Sequence, residues 1–164
     1  MTDDAPPGTP RLRAELRDLY DDYGSALDAM RLEDWTGYFI EGSTYRVMGR
    51  ETHDRGLSHA TIYCDSLEMI RDRAAAIRET AVFGPRFQRH FISGLSVTGV
   101  DADGDIAARA NFLIIESMFD AEPRILLTGL YIDRIRRTDA GLKFVDRLAV
   151  YDNYRIPTTL ILPV

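Results

Sequence analysis

Cysteine is almost missing from this chain: Cys64 is the only one in 164 residues. An intramolecular disulfide is therefore impossible, and so is a metal site built mainly from thiolates. Excess positive charge is missing too. The formal net charge is −6, which argues against a general binder of nucleic acid or of anionic membrane surfaces. No apolar run approaches the roughly 20 residues of a membrane span. The opening stretch MTDDAPPGTP is acidic and proline-rich, without the apolar centre of a signal peptide. A cytoplasmic protein is the expectation. Internal repeats and a second linker are also lacking, and at this length one domain is the prior. Residues 1–8 read as a disordered tail and residues 9–164 as the domain.

What is present is β-structure. From Phe87 to Tyr154 four β-rich runs follow one another, roughly Phe87–Val100, Ile106–Phe119, Ile125–Arg137 and Leu142–Tyr154. Between them stand Asp101-Ala102-Asp103-Gly104-Asp105, Asp120-Ala121-Glu122-Pro123 and Thr138-Asp139-Ala140-Gly141, the Gly- and Pro-bearing turns that mark hairpins. In the second run Ile106, Ala108, Ala110, Phe112 and Ile114 share one face, while Arg109, Asn111, Leu113 and Ile115 share the other. Apolar residues on both faces mean that neither is simply solvated. Helices from the first half of the chain cover one face; the other calls for a cover such as a partner chain.

The first half supplies those helices. Thr9-Pro10 reads as an N-cap with proline at the first helical position. Leu12, Leu16, Leu19, Tyr20, Tyr23, Leu27 and Met30 follow at helical spacing, to about Arg31. Glu33-Asp34-Trp35 opens a short second helix carrying Trp35, Tyr38 and Phe39, all read as core. Gly42-Ser43 breaks the pattern, Thr44–Arg50 alternates as a strand, Glu51–Ser58 is loop-like, and Ala60–Tyr63 is a short extended piece. Asp65-Ser66 caps a third helix from Leu67 to about Thr80, with Glu68 early and Arg71, Arg73 and Arg78 later, as the helix dipole favours. Helices first and a long, curved antiparallel or mixed sheet afterwards make an α+β domain, a cone with its helices packed on the sheet.

Several local motifs, in this order, resemble the small (β) subunit of aromatic ring-hydroxylating dioxygenases, the Rieske non-haem iron oxygenases. They are Trp35 with Phe39; Tyr45-Arg46-Val47; His53-Asp54 with Gly56-Leu57; Asp65-Ser66 with Met69; Asp72-Arg73 with Ile77-Arg78; Arg89-His90; and the apolar ending Ile156–Val164. The His-Asp-x-Gly-Leu, Asp-Ser-x-x-Met and Asp-Arg-x-x-x-Ile-Arg combination resembles the branch acting on salicylate, anthranilate or terephthalate more than the biphenyl or naphthalene branch. The resemblance implies a nuclear-transport-factor-2-like (cystatin-like) fold. It also implies a structural subunit in aromatic-compound catabolism, holding catalytic α subunits in an α3β3 assembly around its own homotrimer. The Rieske [2Fe–2S] cluster and the mononuclear iron then belong to the α subunit, with no cofactor, metal or catalytic residue in this chain. A Rieske centre needs two Cys and two His ligands, which one cysteine does not supply.

Other constellations point elsewhere. His53, Asp54 and His59 have the residue types of a non-haem iron site, but the two histidines sit six apart on a loop-like segment, where a hydrogen-bonded loop is the plainer use. His90, with Asp54, Asp146 and Tyr45, is the candidate set for an alternative function, a stand-alone dehydratase or isomerase of the same fold working by proton transfer. Arg134 and Arg136 share a face that Arg137 does not, so they form no single basic patch; ion pairs with Asp133, Asp139 or Asp146 are expected. Cys64 has no cationic neighbour in sequence and reads as buried and inert. The tail Ile156–Val164 has no charged side chain. It either folds back on its own domain or meets another subunit, and the resemblance favours a subunit boundary.

Overall fold

Thr9 opens the first helix as its sequence requires. Its hydroxyl accepts the Leu12 N–H, Pro10 stands at the first turn, and α1 runs Pro10–Asp28. The computed structural model of the chain describes residues 8–80, 83–157 and 159–164; the expected tail lies outside these apart from Gly8. Helix α1 stops short of Arg31 because Met30 takes a left-handed φ of 56°. The short α2 (Leu32–Thr36) follows, with Glu33 and Asp34 in its first turn. Phe39 is not part of α2. It begins β1 (Phe39–Gly49).

Gly42-Ser43, expected to break the chain, lies inside β1. The register against the neighbouring strand shifts between Phe39 and Thr44, and Gly42 has a φ of 78°. This is a bulge: Gly42 supplies the left-handed residue. The buried Ser43 hydroxyl accepts the Ile40 N–H at 2.9 Å and donates to the Phe144 carbonyl at 2.7 Å. The segment expected as loop after Arg50 contains a single helical turn, α3 (Arg50–Asp54), before β2 (Ile62–Cys64). Helix α4 (Leu67–Glu79) starts at Ser66, whose hydroxyl accepts the Met69 N–H at 3.2 Å. Ser66→Ala removes that cap. A loss of about 1 kcal/mol, or roughly 2–4 °C in Tm, is expected in a thermal melt.

The remaining strands are β3 (Arg86–Val100), β4 (Ile106–Met118), β5 (Ala121–Thr138) and β6 (Gly141–Tyr151). The turn expected at Asp120–Pro123 is shorter, because Ala121 already pairs with Met118. Pro123 lies in the irregularity between that pair and Glu116–Arg124, a bulge being where a strand tolerates a residue without an N–H. The six strands form one sheet in the order β2-β1-β6-β5-β4-β3, antiparallel throughout except for the parallel β1–β6 pair. Gly129 on β5 is forced by close approach. A Cβ there would stand 2.1 Å from the Val150 carbonyl oxygen and 2.7 Å from the Phe112 ring.

Alternation then decides what faces inward. Ile106, Ala108, Ala110, Phe112 and Ile114 are buried with Leu16, Tyr20, Tyr23, Trp35, Ile70 and Ile77 from the helices. The result is the α+β cone, helices inside the curl of the sheet. The tail takes the first of its two expected placements, folding back on its own domain. Leu162 and Val164 are buried in the chain's own core, and Ile156, Leu160 and Ile161 pack against it. Its apolar side chains close the mouth of their own cone, because that mouth offers an apolar rim and hydrogen-bond donors. On the outer face of the sheet, Met48, Leu148 and Val150 form a second small cluster with Ala60 and Ile132. Beyond it, on β3 and β5, Phe87, Phe91 and Ile125 are exposed.

Candidate functional site

The interior of the cone holds a charge pair. Asp133 lies on β5 between the inward-facing Tyr131 and Ile135, and Arg147 lies opposite it on β6. Both side chains are fully covered, and Arg147 Nη1 is 3.2 Å from Asp133 Oδ2. The Tyr20 hydroxyl, from α1, donates to the same carboxylate oxygen. The Arg147 guanidinium carbon lies 3.8 Å from the Tyr131 ring centre, 3.9 Å from Tyr23 and 4.3 Å from Phe144. Around this clamp the rings of Phe39, Tyr45, Trp35 and Phe144 meet edge-on or tilted, and Phe112 stacks on Tyr131 at 4.5 Å.

The electrostatics follow from burial. Loss of water pushes the Asp133 carboxyl up to about 6, against the pull of Arg147 and of the Tyr20 hydrogen bond. Burial disfavours the Arg147 cation, but Asp133 and the surrounding phenols outweigh it and keep the guanidinium firmly charged. Burial likewise raises the phenols of Tyr20, Tyr23, Tyr45 and Tyr131. Among the described residues, Arg147 Nε and Nη2, Asp133 Oδ1 and the Tyr131 hydroxyl have no hydrogen-bond partner. The two arginine nitrogens belong to a guanidinium laid between ring faces, the arrangement of a desolvated cation–π contact. An arginine so sandwiched and paired fills the cone and ties α1 to β5 and β6.

The residues singled out for proton transfer are not brought together. The His90 side chain is fully covered on β3 beneath α1. Its Nδ1 is 2.7 Å from Asp28 Oδ1, and Asp28 also accepts the His90 main-chain N–H at 3.1 Å. Gly24 on α1 permits this approach, since a Cβ there would lie 3.3 Å from the His90 Cβ. Asp54 sits on α3, 2.9 Å from His53 Nδ1, and lines a separate cleft of about 780 Å3 with Arg50, Tyr151 and Tyr154. Tyr45 is core, its hydroxyl accepting the Val164 N–H at 2.7 Å. Asp146 faces away from the cone, accepting bonds from Thr44 and Arg46. His59 is exposed, and no three His, Cys, Asp or Glu side chains group as metal ligands among the described residues.

The expected ion pairs form, with different partners. Arg136 takes Asp105 at 2.6 Å, Arg134 reaches the same carboxylate at 3.6 Å, and Arg137 pairs with Glu15 on α1. Asp133 belongs to Arg147 instead. Cys64 is buried, and burial raises its thiol despite the nearby Arg73. A further buried carboxylate, Glu116, lies between Arg124 at 2.8 Å and Arg86 at 3.3 Å.

The profile of the ring hydroxylating beta subunit family matches residues 24–158. The chain is 31% identical to the anthranilate 1,2-dioxygenase small subunit of Burkholderia cepacia over 92% of both chains. It is 28% identical to subunit beta 2 of the terephthalate 1,2-dioxygenase terminal oxygenase component of a Comamonas species, over 86% of this chain and 91% of that one. Its fold is similar to a crystal structure from Novosphingobium aromaticivorans, a β subunit assigned to an aromatic-ring-hydroxylating dioxygenase. The TM-score is 0.82 and the identity 35%, over 92% of this chain and 95% of the other.

Proposed function

The chain belongs to the ring-hydroxylating β-subunit family, and from that premise we propose that it is the structural subunit of a terminal oxygenase, assembling and stabilising the catalytic α subunits. The observation that carries this is the filled cone. The interior is taken up by the Arg147–Asp133 pair and its tyrosines. The candidate acid–base residues are dispersed to the sheet edge, to α3 and to the core. In this reading the [2Fe–2S] cluster and the mononuclear iron reside in the α subunit, and the complex is an α3β3 assembly. Its substrate class is aromatic acids, as the names of the anthranilate and terephthalate relatives suggest. Among the described residues no helix is long and apolar enough to cross a membrane, and a cytoplasmic location in aromatic catabolism is part of the proposal.

Co-expression with the catalytic α subunit tests it. The two chains are expected to co-elute in equal amounts, and the iron and the visible chromophore to travel with the complex and not with the isolated chain. His90→Ala and Asp54→Ala should lower oxygenase activity only as far as they lower the amount of complex. A tenfold or larger fall in kcat at unchanged assembly and iron content would refute the structural reading.

A further inference from the structure

We propose that Thr159–Val164 is a displaceable plug, and that the cone mouth it fills is a binding site for an extended apolar peptide, occupied here by the chain's own end segment. The mode of attachment carries this. Regular structure stops at Tyr151. Beyond Asp152, no main-chain to main-chain hydrogen bond holds the segment among the described residues. Side chains of the cone hold it instead, at Val164 and at Ile161. The Tyr23 hydroxyl donates to the Val164 main-chain oxygen at 2.8 Å, and the Tyr45 hydroxyl accepts the Val164 N–H at 2.7 Å. Arg73 on α4 donates to the Ile161 carbonyl at 2.9 Å.

Between these polar contacts Leu162 and Pro163 are both buried. Leu162 and Val164 are nearly or fully covered, while Leu160 and Ile161 are partly so. Fixed donors and acceptors for the main chain, with apolar seats for the side chains between them, are the elements of extended-peptide recognition. The floor of the seat, formed by Gln88, Ile114, Glu116 and Leu126, leaves a space of only about 10 Å3 beneath the segment, so the fit is close. Because no strand ladder has to break, release of the segment leaves the sheet intact. It is an opening of the local kind, well below global unfolding in free energy.

Hydrogen exchange on the full chain is the first test. The Val164 amide should be protected, yet exchange at least 100-fold faster than the amides of β5. Tyr45→Phe, which keeps the ring and removes the hydroxyl, should speed Val164 about tenfold and leave β5 unchanged. Exchange of Val164 only at the rate of β5 would overturn the proposal, because the segment would then leave only on global unfolding. The second test removes residues 159–164 and adds the synthetic peptide Thr-Leu-Ile-Leu-Pro-Val to the shortened chain. The peptide should bind by calorimetry and raise Tm towards that of the intact chain, while a peptide carrying Asp in place of its second Leu should bind at least tenfold more weakly. A folded shortened chain with no peptide binding, or with equal binding of both peptides, would also overturn it. If the shortened chain does not fold, the exchange result alone decides.

Discussion

Asp133→Ala should destabilise the fold by about 3–5 kcal/mol, the cost of breaking a buried ion pair by removing one partner. The change strands the Arg147 cation, whose side chain is fully covered. The rings of Tyr23, Tyr131 and Phe144 remain beside it, but a cation–π contact is worth only about 2 kcal/mol when desolvated. Tyr20 also loses the acceptor of its buried hydroxyl. The mirror change, Arg147→Met, behaves differently because a carboxylate has an escape that a guanidinium lacks: it can take a proton. Asp133 already titrates near 6 rather than its ordinary 3.8, and without Arg147 it moves higher still.

The sign of the pH effect separates the two variants. A carboxyl raised in the folded state contributes stability that is full below about 3.8 and is lost as pH rises through about 6. In Arg147→Met the upper limit of that window moves above 6, so acidification from pH 8 to 5 should shrink its deficit against the parent chain. In Asp133→Ala no carboxyl remains to take the proton, so its deficit should grow over the same range. Urea unfolding of the parent and both variants at pH 8 and pH 5 reads this directly. Deficits that run parallel would mean that Asp133 is not the titrating group. Replacing both, Arg147→Met with Asp133→Leu, should recover much of the loss, since apolar isosteres often match a buried pair.

Why the sequence announces the fold but hides this pair is a matter of strand parity. Counting by twos from the inward Phe144 places Asp146 inside and Arg147 outside. The structure has the reverse, because Arg134 pairs with Asp146 while Ile135 pairs with Phe144. The extra residue at Val145 is a bulge that flips the side of everything after it. Asp133 was open to view, alternating with Tyr131 and Ile135, but without Arg147 on its face it looked like a surface partner for Arg134 or Arg136. Gly42-Ser43 and Pro123 misled for the same reason, since residues that signal a chain break also sit in bulges. Signals that depend on one residue and its near neighbours were legible: the Thr9 and Ser66 caps, the hairpin glycines Gly104 and Gly141 with φ of 82° and 96°, and the buried face of β4. The tail was not, because its partners Tyr23, Tyr45 and Arg73 are far away in sequence and nothing local encodes which apolar surface it seeks.

The isolated chain is expected to self-associate, and Phe87→Asp with Phe91→Asp should leave it a monomer. On the outer face of the sheet Phe87 pairs across from Ser117, Phe91 from Leu113, and Ile115 from Ile125. Phe87 is 71% exposed, Ile125 57% and Phe91 54%, with Leu113 and Ile115 half-buried between them. Helices α1, α2 and α4 pack on the opposite face, and the segment after α3 sends Ala60 against the Met48–Leu148–Val150 cluster. Burying on the order of 1,000 Å2 of apolar surface on association is worth roughly 25 kcal/mol before association costs remove much of it, and a closed ring leaves no sticky face free. A homotrimer is therefore expected for the isolated chain, sedimenting at three times the 18.6 kDa chain mass at micromolar concentration. Two buried phenylalanines are worth about 3–6 kcal/mol per copy, so the double change should weaken assembly on the order of 100-fold or more. The monomeric variant should keep the far-ultraviolet circular dichroism of the parent, because neither side chain reaches the helical core, while its Tm falls by the linkage lost with the trimer. An intact chain that sediments as a clean monomer would mean that this face is covered only by the α subunit, and the same double variant should then fail to bind it.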